Sequence, residues 1–161
     1  MIAMSEIRNL HPDPRCLKER STWEGTSRAS GEKWRYELKA GSNNGTVFCW
    51  PNLTGQYMRG KVLYARITSA TQAVIDNLSV ENASTIVRSN GWIAARVHDN
   101  NTGNHSLSLM RGPFVLNEVG CYTPDDWEQL YALYQAGTIR FPWVAGPRNA
   151  TAAGEKGPWG L

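Results

Sequence analysis

The groups best suited to chemistry in this chain of 161 residues are three histidines, three cysteines and a few neighbouring carboxylates. His98 and His105 flank a polar stretch with Asp99 between them, the residue types on which a zinc site draws. The spacing predicts a hairpin: Trp92 to His98 as one strand, Asp99 to Asn104 as its tip, His105 to Met110 as the return. If Val97 and Leu107 share the core face, His98 points the opposite way while His105 follows Leu107. The two imidazoles then fall on opposite faces unless a bulge intervenes. The plainer reading is a pair of solvated turn histidines. His11 sits in a Pro-rich segment.

Asp125 and Asp126 are adjacent at a helix start, where carboxylates serve capping and the dipole. A glycosidase needs two acids facing each other across a cleft, and this pattern does not supply them. There is no phosphate-binding loop, nucleophile elbow, zinc-protease helix or dinucleotide fingerprint. The expectation is a protein that is not an enzyme, with no cofactor and no metal.

A binding reading finds more material. Sugar-binding β-sandwiches stack aromatic rings on apolar sugar faces and meet the hydroxyls with amide and charged side chains. Trp50 and Tyr57 lie in and beside a loop with Asn52 and Gln56, and Trp92 begins a strand next to Asn90. These five residues, Trp50, Tyr57, Trp92, Asn52 and Gln56, are the glycan-binding candidates, with Tyr57 the best exposed. The competing reading puts Trp34, Trp50 and Trp92 in the core.

Composition favours one domain. The hydrophobic fraction of 41% is slightly low, so the core must lean on seven Trp, six Tyr and three Phe. A formal net charge of +3 is too small for a nucleic-acid footprint. Basic residues (Arg28, Lys33, Arg35, Lys39, Arg59, Lys61, Arg66) gather in the first half and acids (Glu118, Asp125, Asp126, Glu128) late. That favours head-to-tail contact between copies; ordinary solvated faces are the alternative. Cys16, Cys49 and Cys121 are odd in number and lack metal or redox spacing. Cys49 and Cys121 read as buried thiols. Neither a signal peptide nor a run of membrane-spanning length is visible, which points to synthesis in a reducing cytoplasm and no membrane partner.

The elements that must position these groups are mostly strands. Trp34 to Lys39 alternates apolar and charged residues. Thr46 to Trp50 is apolar on both faces and Pro51 ends it. Lys61 to Ser69 sets Val62, Tyr64 and Arg66 on one face and Leu63, Ala65 and Ile67 on the other. Gln72 to Leu78 and Ala83 to Ser89 read as shorter strands, and Asn90-Gly91 as a turn. Phe114-Val115-Leu116 extends the strand ending at Met110, with a bulge near Gly112-Pro113. Short strands with close turn signals point to a sandwich or barrel. One helix stands apart over 123–137: Thr123 caps it, Pro124 fits the first helical position, and Gly137 stops it. Trp127, Leu130, Tyr131 and Tyr134 form its apolar face.

The expected architecture is mostly β: a jelly-roll β-sandwich over 21–145 that includes this helix, an N-terminal arm over 1–20 and a C-terminal docking tail over 146–161. Pro12 and Pro14 in the arm, Trp127, Tyr131 and Tyr134 on the helix, and Trp159 in the tail are the assembly-contact candidates. A lone Trp on a Gly- and Pro-rich end suits a segment that docks on a neighbour; a disordered end is the alternative.

Several segments carry a resemblance. An arm of the form Arg8-Asn9-Leu10-His11-Pro12-Asp13-Pro14 precedes the strand Trp23-Glu24-Gly25. The strand Gly91-Trp92-Ile93-Ala94-Ala95-Arg96 follows, and Phe114-Val115-Leu116-Asn117-Glu118-Val119 closes the sheet. Over residues 7 to 120 this resembles virion proteins of tailed bacteriophages that carry jelly-roll domains similar to carbohydrate-binding modules. Sugar-binding relatives often keep an Asp in the final strand, where this chain has Asn117-Glu118, and the helix and tail are additions. The resemblance implies a capsid decoration or minor tail protein, made in the host cytoplasm and carried on the virion. Its partners would be other virion proteins, copies of itself and host glycans, with no nucleic acid.

Overall fold

Alternation decides what each strand buries, and here it works on both faces of one sheet. The computed structural model describes residues 6–23, 25–28, 34–51, 53–110, 112–145 and 148–149. In chain order the elements are β1 (Glu6–Ile7), β2 (Thr22–Trp23), β3 (Thr26–Arg28), β4 (Arg35–Leu38), β5 (Gly45–Val47), a 3-10 turn (Gln56–Met58) and β6 (Val62–Thr68). Then come α1 (Gln72–Asp76), β7 (Ser79–Val80), β8 (Ala83–Ser89), β9 (Trp92–Val97), β10 (Leu107–Leu109), β11 (Phe114–Tyr122), α2 (Pro124–Gln135) and β12 (Arg148–Asn149).

Two antiparallel sheets form a β-sandwich: four strands in the order β2-β5-β10-β7 and six in the order β3-β4-β11-β6-β9-β8. From β4 onward the chain passes between the sheets at almost every connection. The core between them gathers Val47, Leu107, Leu109 and Val80 from the smaller sheet, against Leu63, Ala65, Ile67, Ile93, Ala95 and Val97 from the larger. The other parity of β6 and β9 is buried too. Val62, Tyr64, Trp92 and Ala94 join Tyr122, Trp127, Leu130, Trp143 and Val144 in a second cluster under α2 and the segment 138–145.

A register shift between Leu116 and Glu118 sorts β11 into both cores. Phe114 and Leu116 face the sandwich core before the bulge, and Val119 and Cys121 face it after. The extra residue reverses the alternation, so Tyr122 reaches the helix side. Gly120 makes room for it: a Cβ there would stand 2.7 Å from the Tyr122 ring. Helix α2 begins as its sequence requires, with the Thr123 hydroxyl accepting from the Asp126 N–H at 3.2 Å and Pro124 in the first turn. Gly137, at φ 77°, ends it in the left-handed conformation that glycine tolerates.

Several expectations are corrected. Gln72–Asp76 is helical, not a strand: Thr71 caps it, and Val74, Ile75 and Leu78 bury one side at helical spacing. Leu107–Leu109 does not return against β9; it crosses to the other sheet and pairs with β5 and β7. Nor does Phe114–Tyr122 continue that strand or close the sheet as an edge, since it lies between β4 and β6. The expected arm is stitched into the fold. The Leu10 N–H donates to the Cys121 carbonyl at 2.8 Å, the Val119 N–H donates to the Pro14 carbonyl at 3.0 Å, and Ile7 and Cys16 are buried in the two cores. β1 pairs with β12, which places residues 6–7 beside 148–149. All three thiols are buried and unbridged; burial pushes those of Cys16 and Cys121 up to about 12.

Candidate functional site

The smaller sheet has an outer face that no helix among the described residues covers. Its register lines up one outward residue per strand. Trp23 pairs with Thr46, Thr46 with Ser108, and Ser108 with Ser79. The next row, Val47, Leu107 and Val80, points into the core. An indole and three hydroxyls therefore lie in a line across four strands, because strand side chains alternate.

Trp23 is 60% exposed, an unusual state for so large an apolar ring. Phe48 meets its edge at a centroid distance of 6.5 Å and an interplanar angle of 84°. Around this row lies a depression of about 730 Å³ whose walls add Asn44, Asn82, Asn104 and Glu81. The Asn82 amide is oriented by donating to the Asn104 carbonyl at 2.8 Å. Glu81 is held at the rim by the Ser106 hydroxyl, which donates to it at 2.8 Å. An aromatic ring beside amides and hydroxyls suits a ligand with an apolar face and hydroxyl edges.

A second depression of about 350 Å³ adjoins it, sharing Phe48 and Asn104 and adding Trp50, Thr54 and His105. The His105 Nδ1–H donates to the Glu81 carbonyl at 2.9 Å. Burial holds its pKa below the ordinary 6.5, so the ring is neutral. Its Nε2, an acceptor in this tautomer, is buried with no partner among the described residues. Such a group typically costs about 1–3 kcal/mol until a donor reaches it. His105 is thus a buried histidine, not the solvated turn residue expected, because Leu107 and its neighbours moved to the other sheet. His98 is exposed, with Nε2 3.1 Å from the Ser84 hydroxyl. Among the described residues no group of three or more His, Cys, Asp or Glu converges on a metal position.

The expected aromatic platform is not assembled. Trp50 is buried in the sandwich core and its Nε1–H donates to the Gly120 carbonyl at 3.1 Å. Trp92 is buried on the far side of the larger sheet, 5.3 Å from the Tyr134 ring and 6.2 Å from the Trp127 ring. Alternation explains Trp92, which falls on the parity of β9 that α2 covers; Trp50 lies in the bend after β5, where the chain turns its indole into the core. Tyr57 and Gln56 are exposed in the 3-10 turn, but the Lys61 ammonium lies 5.0 Å over the Tyr57 ring and also donates to the Tyr57 carbonyl. The chain's own cation thereby occupies that aromatic face. Asn52 lies outside the described residues.

Of the assembly candidates, Pro12 is exposed and Pro14 half-buried. Trp127 is buried, and Tyr131 and Tyr134 stack in sequence beside it at 5.6 and 6.0 Å. Trp159 and most of 146–161 lie outside the described residues. Trp23 was missed as a candidate residue, although its signal is present: Thr46 and Ser108 are single hydroxyls inside short strands whose flanking residues are buried. Comparison of the chain with protein-family models, with curated proteins and with solved structures gave no match.

Proposed function

We propose that this protein is a non-enzymatic surface protein of a tailed-bacteriophage particle, a capsid decoration or minor tail protein, which presents the open face of its smaller sheet to host glycans. One observation carries the glycan part: Trp23 stands exposed in register with Thr46, Ser108 and Ser79. An indole beside hydroxyl and amide groups stacks on a pyranose and meets its edge. The particle part is supported by the resemblance of residues 7 to 120 to virion proteins. It is also supported by the pairing of β1 with β12. Ile7 packs in the cluster beneath α2, so the paired terminal strands lie on the helix side, away from the open face. Attachment through one side and recognition through the other is a workable division for a particle-surface protein.

Glycan-array binding and host cell-wall pull-down, compared between wild type and Trp23→Ala, test the first part. Loss of binding by tenfold or more, on the order of 1.4 kcal/mol, is expected; equal binding by both proteins removes the face from consideration. For the second part, deleting 146–161 should reduce incorporation into particles, and unchanged incorporation removes that segment from the attachment.

A further inference from the structure

The depression at Trp23 does not stand alone. Beyond Met110 a third one, of about 640 Å³, is lined by Glu37, Asn43, Asn77 and Pro113. Met110, 59% exposed, belongs to both. At the opposite end Phe48 and Asn104 join the central depression to the one at Thr54 and His105. The order follows the strands: Met110 just follows β10, Ser108 lies within it, and His105 and Asn104 precede it. The three depressions therefore form one trough along β5 and β10. From Asn104 to Met110 an extended chain spans at most about 20 Å, longer than a single sugar ring.

The charge of the trough is one-sided. Glu37 and Glu81 line it, and among the described lining residues there is no Lys or Arg. A ligand carboxylate or phosphate would meet two carboxylates, with no cation among the described lining residues to offset them. Amides recur along the whole length, from Asn43 and Asn77 through Asn44 and Asn82 to Asn104. Each offers both a donor and an acceptor to a hydroxyl.

Resting on the glycan reading of this face, we infer that its ligand is an uncharged polysaccharide segment of several rings laid along β5 and β10. One ring stacks on Trp23 and its neighbours occupy the depressions beside Met110 and His105. The buried Nε2 of His105 favours a ligand end that brings a hydroxyl donor.

The test uses the full chain and a printed array of neutral oligosaccharides graded from single rings upward, with uronic-acid and phosphate-bearing counterparts. Neutral probes of three or more rings should bind at least about tenfold tighter than single rings, with little change on adding salt. With the best probe, NMR should show the Met110 methyl, the Trp23 indole and the His105 imidazole shifting together. Met110→Ala should weaken long probes by more than it weakens single rings. Full affinity from a single ring, shifts confined to Trp23, or preference for acidic probes would overturn this inference while leaving the glycan reading in place. Binding to no probe would overturn both.

Discussion

The outer faces of the two sheets follow one alternation rule and end in opposite states. On the larger sheet the outward residues Val62, Tyr64, Trp92, Ala94 and Tyr122 of β6, β9 and β11 are buried beneath α2 and residues 138–145, and only the ends of that face, at Thr68 and Arg96, reach solvent. On the smaller sheet the outward residues are Trp23, Thr46, Ser108 and Ser79, and among the described residues only the walls of a trough stand around them. The difference begins in strand length and residue type. Strands of six to nine residues with apolar side chains on both parities demand a second cover. Strands of two or three residues with hydroxyls on one parity do not. Where the cover exists, it is tied down by hydrogen bonds: the Trp143 Nε1–H donates to the Val119 carbonyl at 2.9 Å, and the Tyr122 hydroxyl accepts from the Val144 N–H at 3.2 Å, though the buried Tyr64 hydroxyl has no partner among the described residues. A sealed face fixes the fold, and the proposed glycan site uses the open one.

The largest expected effect breaks the sealed side. Trp127 touches Trp92, Tyr122 and Tyr131, and Trp127→Ala should destabilise the protein by about 3–5 kcal/mol. A urea or guanidinium midpoint measures it; a loss well under 1 kcal/mol would mean that α2 is not part of the core.

The edge of the same face is closed by an ion pair. Arg66 and Glu118 meet through two hydrogen bonds, one of 3.0 Å, and the guanidinium lies 4.6 Å over the Phe141 ring. Their side chains are only 16% and 9% exposed. The hydrogen bond and charge of Glu118 raise the Arg66 pKa, so the cation persists. Glu118→Ala should cost about 3 kcal/mol by stranding that cation, whereas Arg66→Met with Glu118→Leu should recover most of it. Equal losses in the single and double variants would show that the charges themselves matter.

A smaller effect is read from pH. The His11 Nε2–H donates to the Cys49 carbonyl at 2.6 Å, and its Nδ1 accepts from the Asp13 N–H at 2.9 Å, which leaves no acceptor for a second ring proton. Burial lowers its pKa from 6.5; Arg20 adds to this, while the Cys49 carbonyl and Asp13 oppose it. The unfolded chain therefore binds the proton more readily than the folded one. The contribution of His11 is present above pH 6.5 and is lost as pH falls through and below that value. His105 carries the same sign. The melting temperature should fall on acidification, and His11→Gln should flatten part of that slope; an unchanged slope would remove His11 as the source.

The sequence made the sealed side easier to read than the open one. The Thr123-Pro124 start and Gly137 stop are local signals, and α2 lies where they put it. Val62, Tyr64 and Arg66 opposite Leu63, Ala65 and Ile67 could be read as two faces. That both faces are buried could not, because the cover is supplied by residues 60 to 80 positions later. Distant partners likewise misled the reading of Trp50 and Trp92 as platform residues. The helix at Gln72–Asp76 is a single short turn, too brief for periodicity to separate it from a strand. The crossing of Leu107–Leu109 to the other sheet depends on pairing with Val47 and Val80, partners 60 and 27 residues away. The row at Trp23 exists only once that crossing is made, so the candidate site was the least legible part of the molecule.

The smallest expected change in stability is also the one that separates the two faces most sharply. Trp23 contacts the Phe48 edge and is otherwise largely in solvent, so Trp23→Ala removes little buried surface. It should move the unfolding midpoint by no more than about 0.5 kcal/mol, as surface substitutions do. Trp127→Ala, the same change on the other outer face, should cost several times as much. If the open face serves a ligand, glycan binding should follow the reverse order: lost in Trp23→Ala, and retained in whatever fraction of Trp127→Ala stays folded. A Trp23→Ala protein as unstable as Trp127→Ala would mean that the indole is structural, and the trough would lose its stacking ring as a binding element.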